Sequence, residues 1–134
     1  MRIKKFNLPL TYDPKIQPVR DGTCTQTIRT GRKFAEGDLV SFHGWSGRPY
    51  HSSWSFRTPY KPLWMVQDIH ITPTGFLFYH NGKFFKEINW CSWEMRELAK
   101  LDYINPPTGE DLRDVLMSKN KIPAYGIDAQ IIRW

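Results

Sequence analysis

Short β-prone runs separated by turn residues fill most of this chain, and they limit its fold more than any other feature. The clearest case is Asn81-Gly82, which lies between the apolar runs 76–79 and 84–85. An Asn-Gly pair in this position predicts a β-hairpin, because both residues accept the positive φ of a type I′ turn. Other β-prone runs predict further strands at residues 3–10, 23–29, 38–42, 64–71 and 125–131.

Three helices are predicted from their end signals. Asp13 is an N-cap candidate before Pro14, and Gly22 is a natural C-terminal residue for that helix, which Pro18 keeps short or distorted. Ser92 and Thr108 are N-cap candidates for two later helices. Five or six strands with peripheral helices predict an α+β fold, a small barrel with helical additions, as one domain over residues 1–134.

The charge and aromatic content favour a polyanionic partner. Lys and Arg number 19 against 13 Asp and Glu, giving a net charge of +6, and 15% of residues are aromatic, six of them Trp. Basic charge attracts nucleic acid, and aromatic rings stack on unpaired bases. A protein that is basic without such a partner is the alternative. No apolar run of 18 residues and no signal-peptide stretch is present, so we expect a cytoplasmic protein without a membrane partner.

A polar segment after Gly22 carries the first candidate site. Cys24, Thr27 and Arg29 follow Gly22 within seven residues, and Gly37-Asp38 comes shortly after. Arg29 offers a planar donor group suited to a phosphate or a base edge. The alternative interpretation is a threonine-rich edge strand with a structural arginine.

These residues resemble the ASCH family, a branch of the PUA-like β-barrel superfamily. The family's motif G-x-K-x-x-[TE]-x-R is matched by Gly22, Thr27 and Arg29, and its Gly-Asp pair by Gly37-Asp38. Later segments are similar in order to the family's helix ending in Glu-Gly-Phe, its capped helix and its last strand: 98–104, 108–116 and 130–134. The resemblance spans nearly the whole chain and implies a PUA-like barrel.

The resemblance also implies an RNA or nucleotide ligand. Some relatives are enzymes, among them a hydrolase of N4-acetylcytidine and proposed ribonucleases. In that amidohydrolase the motif's Lys and Thr act with an acidic residue, and the matching positions here are Cys24, Thr27 and Asp102. A thiol cannot replace an ammonium as a cation, so Cys24 favours a binding protein over an enzyme. Cys24 could be a nucleophile beside a base, or an inert buried thiol.

The segment from His43 to Pro62 is predicted to be a long loop, and long loops in compact domains are usually functional. Its alternating aromatic and basic residues suit unpaired nucleotides, although they also suit a loop packed on itself. With Arg29, the candidate ligand-binding residues are His43, Trp45, Arg48, Tyr50, Trp54, Arg57 and Lys61. Zinc at His43, His51 and Cys24 or Cys91 lacks a supporting spacing, so we expect no metal or cofactor.

We therefore expect an RNA-binding or nucleotide-binding domain of this family. The first alternative is an enzyme, either an amidohydrolase acting on an N4-acylated cytidine-type nucleoside or a ribonuclease, using Cys24, Thr27 and Asp102. The second alternative is a protein-interaction adaptor whose aromatic loop forms the contact. The excess of Arg and Lys in the loop favours RNA over a protein partner. The oligomeric state stays open.

Overall fold

The computed structural model describes residues 3–45 and 53–134, except for the side chain of Trp54. This part of the chain is α+β and contains three helices and nine strands. The helices are α1 (Asp13–Asp21), α2 (Trp93–Leu101) and α3 (Gly109–Lys119). The strands are β1 (Lys5–Pro9), β2 (Gln26–Thr30), β3 (Leu39–Trp45), β4 (Trp54–Arg57), β5 (Lys61–Pro62), β6 (Met65–Thr72), β7 (Gly75–His80), β8 (Lys83–Asn89) and β9 (Ile127–Arg133).

The strands form two sheets. The larger sheet is antiparallel with the order β2-β9-β6-β7-β8, and the smaller sheet has β3 between β1 and β4, with β5 also pairing with β3. Strands β1 and β3 are parallel, and the connection between them contains α1 and β2. A parallel pair requires such a crossover connection, and in this one α1 is followed directly by β2.

Strand β9 lies between two hydrophobic cores, because its successive side chains point to opposite faces. Ile131 joins the core that the larger sheet forms with α2 and α3. Ile132 joins the core that contains Leu8 of β1, Val19 of α1 and Phe42 of β3. The larger sheet is therefore covered on one face by helices and on the other by the smaller sheet and α1.

The predicted turn and cap residues are confirmed at four places. Asn81 and Gly82 both have positive φ, at 51° and 77°, and they connect β7 to β8 as a tight hairpin. Gly22 ends α1 in the left-handed conformation. The hydroxyls of Ser92 and Thr108 accept hydrogen bonds from backbone N–H groups three residues on, which fixes the starts of α2 and α3.

The predicted α+β class is confirmed, and other sequence predictions differ in detail. A small barrel of five or six strands was expected, whereas the described residues form nine strands in two sheets that do not close into a barrel. The predicted loop 43–62 contains the end of β3 and both β4 and β5, which pair antiparallel with β3. The N-cap of α1 is Tyr12, and Asp13 lies in the first turn. No helix in the described part of the chain is long and apolar enough to cross a membrane.

Candidate functional site

A cavity of about 460 Å³ opens where α1, β2 and the ends of α2 and α3 meet. This volume lies within the roughly 300–1,000 Å³ that is typical of small-molecule sites. We call it the Lys15 pocket. It is lined by Pro9, Leu10, Thr11, Tyr12, Lys15, Thr27, Ile28, Arg29, Thr30, Asp102, Ile104, Val115, Leu116, Lys119 and Asn120. The pocket therefore brings together three of the predicted site residues, namely Thr27, Arg29 and Asp102.

A buried ion pair forms one wall of this pocket. Lys15 Nζ donates a hydrogen bond to Asp102 Oδ1 over 2.7 Å, and both side chains are more than nine-tenths buried. Lys15 shares the inner face of α1 with Val19, and Asp102 caps the C-terminus of α2. Burial raises the pKa of the Asp102 carboxyl, while the ammonium of Lys15 opposes that shift. The pair thus places a cation and an acid side by side in a site of low polarity.

Arg29 and Thr27 form the β2 side of the pocket. Arg29 Nη2 donates to the carbonyl oxygen of Pro9 over 2.8 Å, and Arg29 Nε donates to Thr27 Oγ1 over 3.3 Å. The guanidinium also lies 5.9 Å from the ring centre of Phe42. These contacts fix the direction of the Arg29 side chain, so its charge is held in place at the pocket.

Lys119, at the end of α3, adds a third cation. Its Nζ donates a hydrogen bond to Thr11 Oγ1. Partial desolvation lowers the pKa of the Lys119 ammonium first, and the charges of Arg29 and Lys15 lower it further. The three cations therefore act on one another, and Asp102 is the single carboxylate among the residues that line the pocket. This charge balance suits an anionic ligand.

Cys24 lies outside the pocket. Its thiol is fully buried in the core and points to the carbonyl oxygens of Gln26, at 3.5 Å, and Leu101, at 3.8 Å. Burial raises the pKa of the thiol, and the nearby charge of Lys15 offsets only part of that rise. Since the thiolate is the reactive form of cysteine, this environment suits a structural residue rather than a nucleophile.

The candidate residues of the segment 43–62 lie either on strands β3 to β5 or outside the described residues. The structure brings His43 and Arg57 together as partners across β3 and β4, and it pairs Trp45 with Trp54 in the same ladder. Lys61 of β5 lies opposite Val40 of β3. The predicted ligand residues Arg48 and Tyr50 lie outside the described residues, as does His51. Arg57 Nη2 contacts Asn7 Oδ1 at 3.2 Å and the Tyr60 hydroxyl at 2.9 Å.

A larger cavity, of about 760 Å³, has a more balanced charge. Arg32, Lys33 and His70 line it, but so do Asp68 and Asp128, and His70 is paired with Asp128. Because the acids offset most of the positive charge, this cavity favours an anion less than the Lys15 pocket does. Its volume alone does not identify a ligand.

Lys15 and Lys119 are the two pocket cations that the sequence reasoning missed. A signal for Lys15 was present, because Lys15 and Val19 are four residues apart and so share one face of a helix. Ile16, the apolar residue next to Lys15, is only half-buried. For Lys119 no such signal exists, because a lysine in the last turn of a helix is common at any exposed end.

Metal ligands and relatives give no further guide to the site. Among residues 3–45 and 53–134, no three His, Cys, Asp or Glu side chains are grouped as metal ligands would be. No protein-family model, curated protein or solved structure matches the chain. The site is therefore interpreted from its own geometry and charge.

Proposed function

We propose that this protein is an ASCH-like domain of the PUA-like superfamily that binds RNA or a nucleotide in the Lys15 pocket. The observation that carries the proposal is the convergence of Lys15, Arg29 and Lys119 on one pocket that holds a single carboxylate. Thr27, Asn120 and backbone carbonyls add hydrogen-bonding groups that could read a base or a ribose. The three cations attract an anionic ligand to the pocket, and these polar groups supply selectivity.

The backbone at the end of α2 supports the family resemblance. In the Asp102-Tyr103-Ile104 segment, Tyr103 stands at the position of the family's Gly. Its φ is 57°, in the left-handed region that favours glycine. A glycine, which the family's motif has at this position, would therefore fit the backbone here.

Titration of fluorescently labelled single-stranded RNA tests this proposal. We expect binding at about 50 mM salt and a steep loss of affinity toward about 200 mM, because phosphate contacts release counterions. Lys119→Gln should weaken binding by about tenfold, since one charged hydrogen bond is lost. Lys121→Gln is the matched control. It removes the same charge two residues away, and Lys121 does not line the pocket.

No binding at low salt would contradict the proposal. Equal losses in the Lys119 and Lys121 variants would show that binding depends on general charge and not on this pocket. Circular dichroism of both variants excludes unfolding as the cause of any loss.

A second candidate function is hydrolysis of an N-acylated nucleoside, and the Lys15–Asp102 pair favours it. The resemblance implies a Lys, a Thr and an acid in the site, and the motif's lysine position is Cys24. Lys15 supplies an ammonium 2.7 Å from Asp102 and lines the same pocket as Thr27. In such a reaction the acyl C–N bond breaks, water adds a hydroxyl to the acyl carbon, and the amine takes up a proton.

Incubation with N4-acetylcytidine, followed by chromatography, tests this second function. Thr27→Val is expected to abolish release of acetate, because the two side chains differ in the hydroxyl and not in volume. Thr30→Val is the matched control, since Thr30 also lines the pocket but has no counterpart in the motif. Absence of turnover in the unmodified protein would leave the binding function alone.

A further inference from the structure

A second, smaller cavity shares a wall with the Lys15 pocket. It has a volume of about 350 Å³, and we call it the His43 cavity. Its lining consists of Asn7, Leu8, Pro9, Arg29, Thr30, Arg32, Phe34 and His43. Pro9, Arg29 and Thr30 line both spaces, so the two are adjacent and Arg29 lies at their boundary.

The charge of the His43 cavity is entirely positive in the described part of the chain. Two guanidinium groups, from Arg29 and Arg32, line it, and no Asp or Glu does. His43 adds an imidazole whose pKa is lowered by burial and then by the charges of Arg57 and Arg29. The imidazole is therefore mostly neutral near pH 7, and the charges of Arg57 and Arg29 both act on it.

The boundary arginine is held before any ligand arrives. Arg29 donates to the Pro9 carbonyl and to Thr27, so its guanidinium is held at the shared wall. Such preorganisation lowers the entropic cost of binding a tetrahedral anion. Planar guanidinium groups suit phosphate oxygens, and two of them line this cavity.

We propose that the His43 cavity binds the phosphate of the nucleotide whose base and ribose occupy the Lys15 pocket. The inference rests on the proposed function and narrows its ligand class. The ligand is a phosphorylated nucleotide, free or within an RNA strand, and an unphosphorylated nucleoside binds only weakly. Arg32 is then a specificity-determining residue, because it lines the phosphate cavity and does not line the Lys15 pocket.

Isothermal titration with defined ligands tests the inference. The probes are the four ribonucleosides, their 5′- and 3′-monophosphates, and a tetranucleotide of the preferred base. At least one monophosphate should bind about tenfold or more tightly than its nucleoside, as expected for new charged hydrogen bonds. A still tighter tetranucleotide identifies an RNA strand as the source of the phosphate, and equal affinity identifies a free nucleotide.

Arg32→Gln separates this cavity from its neighbour. The variant should lose most of the preference for the monophosphate while it binds the nucleoside as before. Arg96→Gln on α2 is the matched control, because Arg96 is exposed and lines neither cavity. NMR titration of His43 adds an independent readout. A bound phosphate offsets the charges of Arg29 and Arg57, so the monophosphate should raise the pKa of His43 and the nucleoside should not.

The outcomes distinguish the two proposals. Equal affinity for nucleoside and monophosphates, or an Arg32 variant that behaves like the Arg96 variant, overturns the phosphate cavity but leaves ligand binding in the Lys15 pocket. If no nucleoside, nucleotide or tetranucleotide binds at low salt, both proposals fail.

Discussion

Lys15 and Asp102 are 87 positions apart in sequence, and their charged atoms lie 2.7 Å apart in the interior. The pair joins the first turn of α1 to the C-terminus of α2. Desolvation of both charges is costly, and a buried ion pair of this kind is weak evidence for stability. Its position at a pocket wall makes the pair part of the proposed ligand site.

Removal of Lys15 should be strongly destabilising. Lys15→Met leaves the Asp102 carboxyl buried without its cation, and breaking a buried pair in this way costs about 3–5 kcal/mol. The double variant Lys15→Met/Asp102→Leu removes both charges and should recover most of that loss. Urea denaturation of the single and double variants measures the coupling. If both variants were equally unstable, the loss would come from packing rather than from the unpaired charge.

The same double variant should lose ligand binding although it is folded. The Lys15 pocket then keeps Arg29 and Lys119 but lacks its acid and its deepest cation. Recovery of stability without recovery of binding separates the functional role of the pair from its structural one. Full binding by the stable double variant would show that the ligand lies elsewhere.

His70 should make the protein more stable at acidic than at alkaline pH. Its Nε2 lies 2.6 Å from the Tyr125 carbonyl oxygen, and its Nδ1 lies 2.8 Å from Asp128 Oδ1. Two acceptors favour the imidazolium, and they raise the pKa of His70, with the Tyr125 carbonyl as the larger cause. The stabilisation is therefore present below the ordinary histidine pKa of about 6.5 and is lost as the pH rises through the raised pKa of the folded state.

Comparison with His70→Gln isolates this effect. The pKa of His43 is lowered, so His43 contributes the opposite dependence, stability that is lost as the pH falls. The difference in unfolding free energy between the two proteins should shrink as the pH rises from about 6.5 through the raised pKa of the folded state. A difference that stays constant as the pH rises would show that the pKa of His70 is not raised, and that the neutral ring donates to only one of the two acceptors.

Much of the fold was predictable where a local rule decides the structure. The Asn81-Gly82 turn, the Ser92 and Thr108 caps and the Gly22 end of α1 all depend on residues within a few positions of one another. The division into two sheets was not predictable in this way. It depends on which strand pairs with which, and β2 pairs with β9 although they are about 100 residues apart.

The candidate site was half-predicted for the same reason. Thr27 and Arg29 lie two residues apart on one strand, so a motif could identify both, and Asp102 was carried over from the family resemblance. The spacing of Lys15 from Val19 places Lys15 on the inner face of α1, but no local pattern predicts its contact with Asp102, 87 residues away. In the family resemblance the lysine position is Cys24, whereas the ammonium group beside Asp102 belongs to Lys15 of α1.

Two glycines at positive φ should respond differently to the same substitution. Gly82 has φ of 77° with open space around it, so Gly82→Ala should cost only the backbone strain of about 1–2 kcal/mol. Gly126 has φ of 81°, and an added Cβ would lie 2.5 Å from His70 Nε2 and from the Ile71 carbonyl oxygen. Gly126→Ala should therefore be more destabilising and should lower the pKa of His70. Equal losses in urea denaturation would contradict the predicted contact.

Cys24 is expected to have a structural role rather than a role in the site. Because its thiol is buried outside the pocket, Cys24→Ala should leave RNA binding, and any hydrolysis of N4-acetylcytidine, unchanged. The stability cost should be about 1 kcal/mol, which is typical of a point substitution. Cys24→Lys restores the family motif in sequence, but it forces a second ammonium into the core beside Lys15. Desolvation and like-charge repulsion should then destabilise the protein by several kcal/mol. Thermal unfolding of both variants, with binding measured on the folded fraction, tests the two expectations together. A folded Cys24→Ala variant without activity would return the thiol to the site, and a stable Cys24→Lys variant would show that the core has room for both cations.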